Sequence, residues 1–217
     1  MNFEQARFNM VEQQIRPWEV LDPQVLAVLF EVKRELFVPA AHAALAFADL
    51  EIPIGCGETM LQPKMEARIL QELAVRPGES VYEVGTGSGY LTALLARRAG
   101  QVTSAEIHGE LHRFAAANLA RAGVANVTLL QGDSARAPLS EAAYDVIVLT
   151  GSTPVLPQAF LDRLNPGGRL FAVVGDAPAM KAIIATRGAN GATCSTEVFE
   201  TLLKPLVNAQ APARFRF

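Results

Sequence analysis

Residues 81–90 combine an acid, three glycines and the start of a helix within ten positions. Glu83 lies in a short apolar segment, and glycines follow at positions 85, 87 and 89. Glycine is needed where a chain turns with positive φ or where the backbone approaches a ligand closely. A dinucleotide-binding loop is spaced Gly-x-Gly-x-x-Gly, which would place its third glycine at position 90, where this chain has Tyr90. The spacing therefore argues against a nicotinamide dinucleotide as the ligand.

Polar residues also follow the next predicted strands at their carboxyl ends. Glu106 ends the second strand of this region, and Gly132 and Asp133 follow the third. Ligands of open α/β sheets bind beyond the carboxyl ends of the strands, where the strand order reverses. In such a place Glu106 can accept both hydroxyl groups of a ribose, and Asp133 can accept from the exocyclic amine of adenine. The small residues of Thr150–Ser152, at the end of the fourth strand, are predicted to leave room for a substrate.

The spacing Glu-x-Gly-x-Gly-x-Gly resembles the first motif of S-adenosylmethionine-dependent methyltransferases. In those enzymes the loop wraps the amino-acid end of the cofactor, and no pyrophosphate has to be bound. The resemblance implies S-adenosyl-L-methionine as the cofactor and S-adenosyl-L-homocysteine as its product. It assigns cofactor binding to the acid, the loop and the two following strand ends: Glu83, Gly85, Thr86, Gly87, Ser88, Gly89, Glu106, Ile107, Gly132 and Asp133.

The order of the predicted elements indicates an α/β fold. Strands are predicted over 80–84, 102–106, 127–131, 145–150 and 168–174, with helices over 89–99, 109–122 and 155–164 between them. Strands separated by helices of this length form a parallel sheet that is covered on both faces. Two further strands, joined by a tight turn, are predicted from Met180 to Leu203. We therefore expect a Rossmann-like, doubly wound, seven-stranded sheet, mostly parallel, with an antiparallel C-terminal hairpin.

The residues before position 76 are predicted to form a helical cap and a loop. Helices are predicted over 3–15, from Pro23 with Asp22 as its N-cap, and over 63–75. Residues 50–63 contain two prolines and two glycines, which predicts an irregular loop. We expect an N-terminal cap with a substrate loop over residues 1–75 and a cofactor-binding domain over residues 76–217, together forming one compact unit.

Composition limits the classes of function. The 217-residue chain has a net charge of −3 and a pI of about 5.7, and its basic residues are scattered. The adjacent pairs Lys33–Arg34 and Arg97–Arg98 fit solvated helix faces, and we expect no nucleic-acid partner. No apolar run approaches the length of a membrane span and no leader is recognised, so we expect a cytoplasmic protein without a membrane partner. The two cysteines have no metal-ligand spacing, and no metal is expected.

Over nearly its whole length the chain resembles protein-L-isoaspartate O-methyltransferases. The matching motifs are Met10–Arg16, Arg34–Pro39, Pro53–Gly57 with Gln62–Pro63, Gly85–Tyr90 and Pro166–Leu170. The resemblance implies a cytosolic repair enzyme that methylates the α-carboxylate of isoaspartyl residues in damaged proteins. The ester then collapses to a succinimide, which reopens partly as normal aspartate. Such an enzyme would be a monomer or a weak homodimer.

The loop that separates this family from other methyltransferases departs from its pattern here. The family sequence is typically Gly-Gln-Thr-Ile-Ser-Gln-Pro, with the serine hydroxyl beside the reacting carboxylate, whereas residues 57–63 read Gly-Glu-Thr-Met-Leu-Gln-Pro. The resemblance places Thr59 and Leu61 at the catalytic positions, with Leu61 replacing the serine. The other residues of the predicted substrate loop are Ile54, Gly55, Gly57, Glu58, Met60 and Gln62.

The change leaves two interpretations of substrate recognition. Glu58 would repel a carboxylate if it faced the site, and Leu61 donates no hydrogen bond. Either Glu58 points to solvent and backbone amides recognise the isoaspartate, or this branch has lost isoaspartyl specificity. In the second case the fold would methylate a small or quinone-like acceptor, which the apolar Met60 and Leu61 favour. A third hypothesis is a non-catalytic, cofactor-binding interaction protein.

A carboxylate acceptor makes few demands on acid–base chemistry. It is already ionised at neutral pH, and transfer of a sulfonium methyl group requires in-line approach, so positioning supplies most of the acceleration. We therefore expect no general base. His42, His108 and His112 are interpreted as helix-surface residues, since their spacing suggests no partner.

Overall fold

A seven-stranded sheet forms the centre of the protein. The computed structural model describes residues 2–211, so residues 212–217 of the predicted second domain lie outside the described part. The sheet contains β3 (Ser80–Val84), β4 (Gln101–Glu106), β5 (Val127–Gln131), β6 (Tyr144–Thr153), β7 (Leu164–Asp176), β8 (Ala179–Arg187) and β9 (Thr193–Glu200). Their spatial order is β5-β4-β3-β6-β7-β8-β9. Strands β3 to β7 pair in parallel and the last two pairs are antiparallel, which confirms the predicted fold class.

The strand order reverses between β3 and its neighbours β4 and β6. After β3 the chain moves outward through β4 and β5, then returns to place β6 on the other side of β3. The crossover helices are α4 (Tyr90–Arg98), α5 (Gly109–Arg121) and α6 (Gln158–Asp162). Reversal of this kind opens a crevice beyond the carboxyl ends of the central strands. The glycine loop at 85–89 follows β3 directly, so it lies at this crevice.

Two apolar clusters cover the two faces of the sheet. The larger contains Val81 and Val146 with the N-terminal helices, while the smaller contains Tyr82 and Ile147 with α6. Adjacent residues of one strand thus belong to opposite clusters, as the alternation of side chains along a strand requires. This explains why β6 reads as a nearly uninterrupted apolar run: it is buried on both sides.

The helical elements are shorter than the sequence predicts. The first helix is α-helical over α1 (Phe3–Met10) and continues as a π-helical turn over Val11–Ile15. The next, α2 (Pro23–Glu31), is capped by the Asp22 side chain, which accepts from the Gln24 backbone amide. The third cap helix is α3 (Pro63–Leu73). The predicted helix over 155–164 is reduced to α6, because β7 already begins at Leu164 and contains residues 165–168 as an irregularity in its pairing with β6.

The prediction of an irregular loop over residues 50–63 is wrong in part. Strands β1 (Ile52–Gly55) and β2 (Glu58–Met60) pair antiparallel and form a small hairpin. The turn residues Cys56 and Gly57 both have positive φ, 54° and 76°, which is the backbone of a tight two-residue hairpin turn. The buried alternation of Ile52 and Ile54 was the sequence signal for a strand, and the proline between them concealed it. Pro53 is tolerated because this two-stranded sheet consists of edge strands only.

Arg34 connects the cap to the hairpin and to the start of α4. Its side chain is fully buried, forms an ion pair with the buried Glu66 on α3, and donates from Nε to the Ala46 carbonyl at 2.9 Å. Nη2 donates to the Leu61 carbonyl at 2.6 Å, and the guanidinium carbon lies 4.9 Å from the centre of the Tyr90 ring. The interpretation of Arg34 as part of a solvated helix face is therefore wrong. Helical spacing in the sequence predicts which residues share a helix face, but it does not show which later segments of the chain cover them.

The buried pair predicts a large loss of stability for Arg34→Met. The variant leaves the Glu66 carboxylate buried without its partner, and such a change costs about 3–5 kcal/mol. Urea unfolding measures the free energy of unfolding. The matched control is Arg97→Met, which breaks an ion pair with Glu31 in which both side chains are about half exposed; there we expect a change within about 1 kcal/mol. Equal, small losses in both variants would show that the buried pair does not hold the cap in place.

Candidate active site

A cavity lies at the carboxyl ends of β3, β4 and β6, where the sheet topology predicts one. Its walls come from the glycine loop, the β1–β2 hairpin, the start of α5 and a C-terminal segment, which we define as residues 203–207. Eleven of the predicted site residues line it: Ile54, Glu58, Thr59, Met60, Leu61, Gly85, Thr86, Gly87, Ser88, Glu106 and Ile107. The fold therefore brings the predicted cofactor loop and the predicted substrate loop to one cavity.

The glycine loop is held by three groups on two other elements, β4 and α5. The Gly85 amide donates to the Ala105 carbonyl at the end of β4, at 2.9 Å. The Thr86 and Ser104 hydroxyl oxygens lie 2.6 Å apart, and Asn118 on α5 donates to the Ser88 carbonyl at 2.9 Å. Backbone amides and the wall of the cavity thus have fixed positions before any ligand binds.

Gly85 is the position in the loop at which no other residue fits. It has a φ of 92°, and a Cβ atom there would lie 2.2 Å from the Thr150 hydroxyl oxygen. That hydroxyl is itself fixed, since it lies within hydrogen-bond distance of the Val84 and Gly85 carbonyl oxygens, at 2.8 and 2.9 Å. A side chain at position 85 would therefore displace the end of β6 as well as the loop.

The Glu106 carboxylate is buried and faces the cavity. One oxygen accepts from the Gly87 amide and the other from the His108 amide, each at 2.9 Å. A carboxylate oxygen accepts two hydrogen bonds, so each retains one free acceptor position. The arrangement leaves Glu106 able to accept two hydroxyl groups, as the sequence predicts for a ribose, while it also positions the glycine loop.

Glu83 lies beneath the loop and does not line the cavity. Its side chain is fully buried and accepts hydrogen bonds from Ser104, at 2.6 Å, and from Thr92 on α4. Its second oxygen has no hydrogen-bond partner. Burial raises the pKa of Glu83 to about 7, although the hydrogen bonds from Ser104 and Thr92 lower it. The geometry gives Glu83 a positioning role, because it ties β3, β4 and α4 together below the loop.

The remaining predicted cofactor residues lie outside the cavity wall. Gly89 precedes α4, and a Cβ atom there would lie 3.3 Å from Leu119 of α5. Gly132 and Asp133 follow β5, where the Asp133 carboxylate accepts from the Ala135 amide and from the Asn208 side chain at 2.8 Å. The predicted contact between Asp133 and an adenine thus stays a prediction.

The β1–β2 hairpin and the residue after it contribute Ile54 and the consecutive residues Glu58–Leu61 to the cavity. Gly55, Gly57 and Gln62 do not line it, and Gln62 faces a neighbouring groove that also contains Trp18 and Arg68. The Thr59 hydroxyl donates to Glu51 at 2.9 Å. Met60 is buried, and Leu61 is partly buried between the cavity and the groove.

The C-terminal segment is the part of the site that the sequence analysis missed. It runs beside the end of β6, because the Ser152 amide donates to the Lys204 carbonyl and the Leu206 amide donates to the Ser152 carbonyl, both at 2.9 Å. A Cβ atom on Gly151 would lie 2.8 Å from Leu206, so Gly151 makes room for this segment. Thr150 and Gly151 also line the cavity, and their role in leaving room for a substrate stays a prediction. No short sequence motif predicts that this segment lines the cavity, because only the tertiary fold brings it there.

Glu58 faces the cavity, in contrast to the solvent-pointing alternative. Its carboxylate lies 2.7 Å from Lys204 Nζ and 3.8 Å from His108 Nε2. Lys204 Nζ also donates to the Gly57 carbonyl at 2.7 Å. The interpretation of His108 as a helix-surface residue is wrong: it lines the cavity, and its Nε2 is buried without a hydrogen-bond partner.

Two further observations concern metal ions and membranes. Within residues 2–211, no group of three or more His, Cys, Asp or Glu side chains is placed to hold a metal ion. None of the helices in that range is long and apolar enough to span a membrane.

The buried Glu83 predicts a stability that falls as the pH rises. Its folded-state pKa of about 7 lies above the ordinary value of 4.5, so the folded protein binds the proton more tightly than the unfolded chain. This contribution is present at acidic pH and is lost as the pH rises through 7, by up to about 3 kcal/mol. Urea unfolding of the wild type and Glu83→Gln at pH 5 and pH 8 measures it. The wild type should lose stability relative to the variant between these pH values, and parallel behaviour would refute the assignment.

Comparisons with known proteins identify the family. The sequence model of the protein-L-isoaspartate(D-aspartate) O-methyltransferase family matches residues 5–211. The protein-L-isoaspartate O-methyltransferase of Methanoculleus marisnigri is 43% identical over 169 residues, which cover 78% of this chain and 77% of the relative. The corresponding protein of Koribacter versatilis is 35% identical over 210 residues, covering 96% of this chain and 94% of the relative.

A solved structure agrees in fold. A Plasmodium falciparum protein described as a protein-L-isoaspartate O-methyltransferase, crystallised with S-adenosyl-L-homocysteine, has a TM-score of 0.80 at 21% identity. The alignment covers 95% of this chain and 99% of the other. The chain belongs to the protein-L-isoaspartate(D-aspartate) O-methyltransferase family, as its motifs predict.

Proposed function

We propose that this protein is an S-adenosyl-L-methionine-dependent enzyme that methylates the α-carboxylate of L-isoaspartyl residues in damaged proteins. The observation that carries the proposal is the shared cavity, in which the glycine loop and Glu106 face the Ile54–Leu61 hairpin. Membership of the family supports the reaction. The shared cavity supports the proposal, because a group transfer between two ligands requires that both bind in one space. We refer to the glycine loop with Glu106 as the cofactor wall and to the hairpin side of the cavity as the acceptor wall.

The residues of the cofactor wall fit S-adenosyl-L-methionine. The Gly85–Ser88 part of the loop lines the cavity, and a Cβ atom on Gly85 would collide with the Thr150 hydroxyl and displace this wall. Glu106 retains two acceptor positions for the hydroxyl groups of a ribose. When bound there, S-adenosyl-L-methionine supplies an electrophilic methyl group on its sulfonium sulfur. The proposed cofactor residues also include Ile107 beside Glu106, and Asp133 for the adenine amine.

The acceptor wall orients the carboxylate and excludes water. An acceptor carboxylate is ionised at neutral pH, so no side chain has to remove a proton from it. Met60, Leu61 and Leu203 give this part of the cavity an apolar surface. Removing water from a carboxylate nucleophile while holding it in line with the methyl group supplies the acceleration. We assign this orientation to the hairpin and to the C-terminal segment.

The two parts of the chain carry different parts of the proposed site. Residues 1–75 carry the hairpin and the helices that hold it, and residues 76–217 carry the proposed cofactor site. We further propose that the protein acts in the cytoplasm as a monomer or a weak homodimer.

Replacement of the loop glycine tests the cofactor site. Gly85→Ala introduces a Cβ atom 2.2 Å from the Thr150 oxygen and should weaken S-adenosyl-L-methionine binding by at least about tenfold, measured by isothermal titration calorimetry. The matched control is Gly191→Ala in the turn between β8 and β9. Its φ of 82° is also positive, but no atom lies within 4 Å of the added Cβ. Equal cofactor affinity in both variants and the wild type would contradict the proposed site.

Transfer of labelled methyl groups to a pair of peptides tests the acceptor. One peptide contains an isoaspartyl residue and its twin contains aspartate in the same sequence. We expect label on the isoaspartyl peptide alone, and less of it with Gly85→Ala when the cofactor concentration is below saturation. Background labelling of both peptides, despite normal cofactor binding, would refute the isoaspartyl proposal. It would favour a small or quinone-like acceptor, for which the apolar Met60 and Leu61 are suited.

A further inference from the structure

Lys204 supplies an ammonium group at the proposed acceptor wall. Among the cavity-lining residues within the described range 2–211, it is the sole lysine or arginine. Its backbone is fixed beside β6 by the hydrogen bond from the Ser152 amide. Its side chain reaches back to the hairpin, where Nζ contacts the Gly57 carbonyl and the Glu58 carboxylate, each at 2.7 Å. A lysine from one end of the chain thus lies at the predicted substrate loop.

Glu58 places a carboxylate between two basic side chains. One of its oxygens lies 2.7 Å from Lys204 Nζ and 3.8 Å from His108 Nε2, and its side chain is 24% exposed. Lys204 and His108 thus form a site suited to a carboxylate, and the Glu58 carboxylate of the protein itself lies in it. The Lys204 side chain is 45% exposed, so the ammonium group is accessible from the cavity mouth.

The acidic residues that line the cavity would disfavour binding of a carboxylate unless a cation lay close to it. Besides Glu58, the lining contains the buried carboxyls of Glu106 and Glu66. Arg34, which pairs with Glu66, also donates to the carbonyls of Ala46 and Leu61. Its guanidinium group is therefore not free to bind an acceptor. A carboxylate acceptor would be repelled by Glu58 and Glu106 unless a nearby cation offset them. Leu61 donates no hydrogen bond, so the hairpin side chain at the family's serine position does not help.

We propose that Lys204 binds the carboxylate of the acceptor, and that the Glu58 carboxylate pairs with the Lys204 ammonium group when no acceptor is bound. The inference rests on the proposed function, since it concerns the carboxylate of an isoaspartyl substrate. On binding, the acceptor carboxylate displaces that of Glu58 from the ammonium group, and Glu58 turns toward His108 and solvent. Lys204 is then the residue that selects for a carboxylate, and Glu58 competes with the substrate.

Competition predicts opposite effects for two substitutions that break the same ion pair. Lys204→Met removes the ammonium group and should raise the KM for an isoaspartyl peptide by at least about tenfold, the effect of losing one charge-assisted hydrogen bond. Glu58→Gln removes the competitor and should lower the KM. Lys204→Arg retains a cation and should stay within about threefold of the wild type. Affinity for S-adenosyl-L-methionine should change by less than about twofold in all three, because Glu106 and the glycine loop are untouched.

The experiment measures steady-state methyl transfer to an isoaspartyl peptide, with cofactor affinity measured by calorimetry. A peptide with the α-carboxamide in place of the α-carboxylate is added as a competitive inhibitor. Lys204→Met should leave the inhibition constant of this analogue unchanged, since the amide has no charge for Lys204 to pair with. An unchanged cofactor affinity shows that the variant is folded.

An ion pair that only fastens the hairpin to the C-terminal segment gives a different result. In that case Lys204→Met and Glu58→Gln would raise the KM for the peptide and the inhibition constant of the carboxamide equally, and the proposal for Lys204 would be wrong. A wild-type protein that binds cofactor but labels no isoaspartyl peptide would instead overturn the proposed function, and this inference with it.

Discussion

The arrangement of the site depends on one buried ion pair. Arg34 and Glu66 are both inaccessible to solvent, and the guanidinium also binds the carbonyls of Ala46 and Leu61 and lies against the Tyr90 ring. It therefore joins the cap, the end of the substrate hairpin, α3 and the start of α4 immediately after the glycine loop. A buried charge requires nearly complete pairing, because each unpaired group costs several kcal/mol. That requirement fixes the hairpin relative to the loop.

Carboxylates organise the cofactor side in a similar way. Glu83 holds β4 and α4 from below the loop, and Glu106 holds the Gly87 and His108 amides from beside it. Both are acceptors for groups that would otherwise move when a ligand enters. A loop in which three of five residues are glycine has little rigidity of its own, since glycine loses more conformational freedom on folding than any other residue. The neighbouring acids therefore provide the preorganisation that the glycines do not.

The altered substrate loop is explained by a residue distant in sequence. Glu58 faces the cavity, but Lys204 pairs with it, so the negative charge that raised the question of lost specificity is balanced. The cavity presents a cation with a carboxylate already bound to it. Such an arrangement is compatible with recognition of an acceptor carboxylate without the family's serine.

The fold class, the family and most of the residues proposed for the cofactor wall could be predicted from the amino-acid sequence alone. These follow from local signals: the alternation of strands and helices, the spacing of the glycines, and acids at the strand ends, which the parallel topology brings to one edge. Four other features depend on tertiary contacts: the pairing of the β1–β2 hairpin, the burial of Arg34, the position of His108 and the contact of Lys204 with Glu58. Each of these is a contact between distant segments, and residues 58 and 204 meet because the C-terminal segment packs beside β6. No periodicity within one segment carries that information.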